Sequence, residues 1–282
     1  MDIILPLKIK KKENAHDRIP WLKTMEPFNL FGNIWFVGSA PASTHIIDTG
    51  DGLILLDSGY QERLYLVINS MWKCGLSPYD IKYIIHSHGH IDHAAATRAL
   101  VELTGAKTFI GAGDCGMVNG SCHKLTWANE FNTAQPAPFE PDVLLHDGDK
   151  IALGNVEIDC IATPGHTPGT FSYFWNVEVD GKTYRAGTFG GAGTNTLKSA
   201  YIHKLHLENE NWRGAFRNSI ARARKEYVDI FIGNHPGQSQ TAERYQRLCE
   251  GDKFAFVDPQ AWGKFLDQCE AKLNKLEIDD PL

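Results

Sequence analysis

Apolar positions along this chain fall mostly into short alternating or continuous runs bounded by turn residues, and only a few stretches show helical spacing. "NIWFVG" (33–38), "THIIDTG" (44–50) and "LILLDSG" (53–59) read as strands, with Gly50-Asp51-Gly52 as the hairpin signal between the last two. "QERLYLVINSMWKCG" places apolar residues at helical spacing and stops at Gly75. "IKYII" (81–85) has the pattern of a short buried strand, 92–104 that of a helix, and "KTFIG" (107–111) that of another strand. The stretch 113–141 is polar and irregular, long for a plain loop. Strands resume in "DVLLHDGD", "KIAL", "VEIDCIATPG" and "FSYFWNVEVDGKTYRAG", the last turning back on itself at Asp180-Gly181. A glycine-rich loop (187–195), a helix near 209–226, the strand "VDIFIG" (228–233) and helices near 240–250 and 259–276 complete the chain.

Each half therefore runs several strands first and then alternates strand with helix. That order predicts an α/β protein, an αββα sandwich of two mixed sheets face to face with helices outside. No linker separates the halves, so the reading is an irregular N-terminal arm at 1–30 followed by a single domain at 31–282.

Composition adjusts this picture only slightly. With 282 residues, 43% hydrophobic and 22% charged, the chain is long enough for a large core. Its net charge of −6 argues against a surface built for nucleic acid or anionic membrane. The one basic run, "KIKKKE" (8–13), reads as part of a solvated arm. No apolar run approaches the roughly 18 residues needed to span a bilayer, and the N-terminus lacks the basic start and apolar core of a secretory signal. As it stands the chain reads as cytoplasmic, or as periplasmic or secreted if a leader has been removed ahead of residue 1. The six cysteines form no C-x-x-C pair and are expected to be reduced, Cys249 with Cys269 being the pair to inspect.

The chemistry is concentrated in "HSHGHIDH" (86–93), four histidines and an aspartate in eight positions at a strand-to-helix turn. Imidazole is the commonest neutral metal ligand. His88 and His90 alternate and can face one way; Asp92 and His93 open the helix and can face a second, adjacent position. Such a run supplies two half-sites, so further ligands must come from elsewhere. "TPGHTPG" (163–169) offers His166 and "GNHPG" (233–237) offers His235, both beside turn residues at strand ends. The assembled expectation is two zinc ions, one held by His88, His90 and His166, the other by Asp92, His93 and His235, with a water or hydroxide between them. His86 is read as a packing residue. His45 and His146 lack a partner motif, and His123, His203 and His206 fall in polar loops.

These motifs, together with "LLDSG" (55–59), resemble the metallo-β-lactamase fold family over roughly residues 30–275. The resemblance implies a zinc hydrolase with its metals in a groove at one edge of the sheets. Most hydrolases of that superfamily carry a metal-bridging aspartate in a "G-D" turn; in the equivalent stretch here, "YRAGTFGGAG", Thr188 stands at that position. Subclass B1 β-lactamases have a cysteine there, subclass B3 a non-ligand residue, and the surroundings of His235 and the C-terminal "FVDPQAWGKFLDQCEAK" also look like B3. The loop after Thr188 is richer in glycine than that subclass. Di-iron relatives substitute a carboxylate for His90 and keep the bridging aspartate, and neither feature is present.

The resemblance thus implies hydrolysis of an amide in a small molecule, a β-lactam ring first, hence antibiotic resistance. Hydrolysis of another ester, lactone or thioester is the alternative, and a catalytically inactive metal-binding scaffold the second. Asp92 would be a metal ligand that also orients the nucleophile. Thr188 and Asn195 are candidate substrate contacts. Asp57 would orient a ligand imidazole from behind, or simply cap a turn.

Overall fold

The structure, a computed structural model, describes Trp21 and residues 24–282. The basic run at 8–13 and most of the stretch read as an arm lie outside the described residues. Seven strands form the first sheet in sequential order: β1 (Phe28–Phe31), β2 (Ile34–Phe36), β3 (His45–Asp48), β4 (Leu53–Leu56), β5 (Ile81–Ile85), β6 (Lys107–Gly111) and β7 (Val143–Leu145). β1 to β4 pair antiparallel and β4 to β7 parallel. The second sheet holds β8 (Lys150–Leu153), β9 (Val156–Ala162), β10 (Phe171–Val179), β11 (Lys182–Thr188) and β12 (Ile230–Phe231), with β12 parallel to β11 and the rest antiparallel.

Strand alternation assigns each residue to a layer. In β4, Ile54 and Leu56 join the core between the sheets, while Leu53 and Leu55 pack outward. The outward pair meets Val67 and Met71 of α1 (Leu64–Lys73) and Leu100 of α3 (Thr97–Thr104). In β10, Tyr173, Trp175 and Val177 face the first sheet, and Phe174 faces α6 (Trp212–Ala223) and α8 (Pro259–Asp279). Both faces of each sheet are covered, which is why several strands read as continuous apolar runs. Among the described residues, no helix is long and apolar enough to cross a membrane.

The structure differs from the sequence reading in places that matter for the site. The helix expected at 92–104 is two pieces, α2 (Ile91–Ala94) and α3. The break has a specific cause: Ala96 N–H donates to Gly59 O, and His93 O accepts from Ser58 N and Gly59 N, so these groups bond to the β4 loop instead of continuing the helix. The stretch 113–141 contains α4 (Cys115–Val118) and short 3₁₀ turns. The helix α5 (Ser199–Lys204) lies where no element was expected, and α7 (Thr241–Cys249) follows the His235 loop. β1 begins inside the supposed arm because Phe28 stacks on Phe36 and Tyr245. All six cysteines are free, Cys249 exposed and Cys269 buried.

Candidate metal centre

Three chain corners converge at one edge of the sandwich: the β5–α2 turn, the β9–β10 turn and the loop after β12. The imidazoles of His88, His90 and His166 form a near-equilateral triangle, with ring centroids 4.7 Å (His88–His90), 4.7 Å (His88–His166) and 4.6 Å (His90–His166) apart. One donor atom from each lies within 4.8 Å of the others. Beside this triangle, His93 Nε2 sits 3.3 Å from His235 Nε2 and 3.3 Å from Asp92 Oδ2, and His235 Nε2 is 3.6 Å from the same oxygen. The two triads touch through His88 and His93, whose ring centroids are 4.2 Å apart.

The outer nitrogens of His88, His93, His166 and His235 are tied down, which leaves the inner ones for a ligand. His166 Nδ1 donates to Gly193 O at 2.8 Å, and His235 Nδ1 to Pro41 O. His93 Nδ1 donates to Asp57 Oδ2 at 2.8 Å, and His88 Nδ1 lies 3.0 Å from Ser87 Oγ. His88 Nε2 and His90 Nε2 are buried with no hydrogen-bond partner. Buried imidazole nitrogens left unpaired are costly, and converging donors of this kind fit metal ions.

Asp57 accepts from Ser87 N and Ser87 Oγ as well as from His93, at a backbone φ of 59° that few residues with a side chain adopt. It therefore does more than cap a turn: it braces His93 directly and His88 through Ser87.

Burial sets most of the protonation states. It pushes His88 and His90 well below the ordinary imidazole range, aided by their neighbouring imidazoles, and brings His166 down to about 4. His235 is lowered for the same reason. His93 departs from this pattern. Burial alone would lower it, but Asp92 and Asp57 outweigh burial and raise it to about 10. Burial would likewise raise Asp92, yet the facing imidazoles, His93 foremost, hold its carboxyl well below the usual range. The second triad thus attracts positive charge, while the first presents neutral donors, the form metal binding requires.

The donors open into a cavity of about 290 Å³ lined also by Trp127, Phe131, Gly191, Ala192, Gly193 and Asn195. Asn195 lines this cavity. Thr188 does not: it ends β11 fully buried, off the cavity wall, because strand alternation turns its side chain into the interior. His86 is satisfied by Phe109 O and Thr97 Oγ1, in keeping with a packing role. His203 pairs with Glu208, and neither it nor His206 lines the cavity.

The sequence reading missed one central residue. Asp114, fully buried after β6, accepts from Gly89 N (2.8 Å), Thr167 Oγ1 (2.6 Å) and Gly169 N (2.6 Å), joining the His88–His90 turn to the His166 turn. Its position just beyond a strand's C-terminal end, as for His88 and His166, was the available signal. Burial pushes it up to about 6 against those three donors. The glycine-rich loop also acquires a reason. A Cβ on Gly191 would lie 2.6 Å from His166 Cδ2, and one on Gly193 2.9 Å from His166 Cε1, so the ring packs against backbone with no room for side chains.

A chain with this fold and donor set belongs to the metallo-beta-lactamase superfamily, whose family profile matches residues 37–182. The FEZ-1 metallo-beta-lactamase of Legionella gormanii superposes with a TM-score of 0.83 at 27% identity, over 90% of this chain and 97% of that one. BJP-1, a subclass B3 metallo-beta-lactamase of Bradyrhizobium japonicum, gives 0.81 at 23% identity over 93% and 97%, a likeness of fold. Among curated proteins, one from Aquifex aeolicus described as uncharacterized is 38% identical over 88 residues, 30% of this chain and 39% of that protein. A hydroxyacylglutathione hydrolase of Anaeromyxobacter dehalogenans is 26% identical over 199 residues, 71% of this chain and 62% of that protein. The chain thus matches less than two thirds of the length of these curated relatives.

Proposed function

We propose that this protein is a zinc-dependent metallo-hydrolase that opens an amide in a small molecule, a β-lactam ring being the first candidate. The observation that carries the reading is the pair of abutting triads. The three separations in the second triad, 3.3, 3.3 and 3.6 Å, agree with the edge of about 3.4 Å between ligands of a tetrahedral zinc with bonds near 2.1 Å. His88, His90 and His166 would hold one ion, and Asp92, His93 and His235 the other. When bound, zinc lowers the pKa of water to about 7 and polarises a carbonyl.

The chain's own residues do the rest. Asp92 faces the cavity and orients the attacking water as well as serving as a ligand. Asn195 offers an amide N–H to the oxygen that gains charge. Trp127 and Phe131 form an apolar wall that holds the body of the substrate and excludes bulk water. Asp57 and Asp114 hold the ligand turns in register.

A second reading, hydrolysis of an ester, lactone or thioester, draws support from the hydroxyacylglutathione hydrolase match. The same centre serves either. Loading the protein with zinc, counting metal per chain, and assaying nitrocefin and a carbapenem beside lactone and thioester panels separates them. Turnover of β-lactams with about two zincs per chain is the expected result. Turnover of lactones or thioesters alone would transfer the assignment to the second reading, and activity that survives complete removal of metal would overturn both.

A further inference from the structure

We propose that the cavity selects substrates bearing an anionic group, such as a carboxylate, and that Lys272 of α8 is the residue that reads it. This rests on the metallo-hydrolase reading of the same cavity and adds a substrate class to it. Phe265 and Lys272 both line the cavity, and a separation of seven residues, close to two helical turns, puts them on one face of α8. Phe265 is buried against the second sheet's outer core, whereas Lys272 is exposed at the cavity's edge. Lys272 is the only lysine or arginine among the residues lining this cavity.

Three other basic residues on or against α8 are paired with carboxylates. Arg217 pairs with Glu277, Arg224 with Asp267 and Glu270, and Lys275 with Asp279. Lys272 has no carboxylate partner among the described residues. The one carboxylate lining the cavity, Asp92, faces His93 and His235. A cation at the lip of a concave site, in a protein of net charge −6, creates a local potential opposite to that of the molecule as a whole and draws anions to that lip. With Trp127 and Phe131 supplying an apolar wall, the cavity suits a compact organic acid: its body against the aromatics, its reactive carbonyl toward the imidazoles and its charge at Lys272. Because the ammonium is exposed, the attraction is modest and screened by salt, amounting to about two- to fivefold in affinity.

The test uses the full-length zinc-loaded protein and two thiols that differ in one charge, 3-mercaptopropionate and its neutral amide 3-mercaptopropanamide. The thiolate is a metal ligand, so both anchor at the centre and only one offers a carboxylate. Affinities are measured by calorimetry in wild type, Lys272→Met and Lys272→Arg, with zinc content determined in each. Lys272→Met keeps the apolar stem and removes the charge. The expected result is that the acid-to-amide affinity ratio drops about two- to fivefold in Lys272→Met and is restored in Lys272→Arg, with zinc content unchanged. An unchanged ratio in Lys272→Met overturns the anion reading and leaves the metal centre standing. If neither thiol binds a zinc-loaded wild type, the metal has no position open to a ligand, and the metallo-hydrolase reading falls and this proposal with it.

Discussion

The two triads are built at the same edge of the same sandwich, yet they differ in kind. The first, His88, His90 and His166, is all imidazole, kept neutral by burial and backed where partners exist by neutral groups, the Ser87 hydroxyl and the Gly193 carbonyl. The second contains the Asp92 carboxylate, and its His93 leans on another, Asp57, so that this imidazole is raised to about 10. One half-site is a neutral cradle and the other an anionic one. The supporting carboxylates follow the same division. Asp114 grips the two turns of the first triad, whereas Asp57 grips His93 and reaches His88 only through Ser87.

That contrast is open to breaking, beginning with the largest effect. His90→Ala removes a donor from the neutral cradle. We expect the bound metal to fall by about one ion per chain and hydrolysis to be lost, as read by elemental analysis beside the activity assay; a variant with full activity would show that the triads are wrongly drawn. The supporting carboxylates come next. Outer partners of metal ligands typically contribute 10- to 100-fold in affinity. Asp114→Ala should weaken the first triad on that scale and leave the second nearly untouched, while Asp57→Ala should weaken the second and, less strongly, the first. Competition with a graded series of chelators resolves the two, and identical affinity profiles for the two variants would erase the distinction. Asp114→Ala also strands three donors, Gly89 N–H, Gly169 N–H and the Thr167 hydroxyl, so unfolding free energy should drop by about 3 kcal/mol in denaturant titrations.

A subtler probe is the glycine loop. Gly191→Ala puts a methyl 2.6 Å from the His166 ring and should weaken metal binding at the first triad about tenfold. Gly263→Ala, where an added Cβ meets nothing within 4 Å, should leave it unchanged; equal behaviour of the two would remove the packing argument. The smallest effect is that of pH on the metal-free protein. His45 and His166 both fall to about 4 in the fold through burial, from an ordinary value of 6.5. As pH falls from 6.5 toward 4 the unfolded chain takes up protons that the folded chain refuses, so stability falls with pH in that window. Between pH 7 and 6 these two together should cost about 1 kcal/mol, a few degrees in melting temperature, and His86, His88, His90 and His235, lowered by the same burial, act in the same direction. His93 acts in the opposite sense: with a folded value of about 10, its contribution grows as pH falls from 10 toward 6.5 and offsets roughly one histidine's share of that loss between pH 7 and 6. A melting temperature flat from pH 7 to 5 would mean that the neutral cradle is not buried as described.

Much of this was legible in the linear chain. Alternation and turn residues gave the strands and their order, because a strand's burial pattern is written every second residue. The ligand-rich turn was visible as well, since spacing within "HSHGHIDH" and the rigid Pro-Gly settings of His166 and His235 are local properties. What the chain could not disclose was convergence. His93 and His235 are 142 positions apart and meet at 3.3 Å only because β5 and β12 end at the same edge of the sandwich. Asp114 looked like any loop aspartate until two turns closed around it. Thr188 looked like a cavity residue until strand alternation turned it inward, and Lys272 carries no local mark at all on an ordinary amphipathic helix. The helix break after Ala94 belongs with these, since it arises from hydrogen bonds to Ser58 and Gly59 across the sheet edge. Sequence alone determined which residues bear the chemistry and which elements carry them. Tertiary structure decided which of them face one another and with what charge, because burial and proximity are properties of the packed whole and of no single segment.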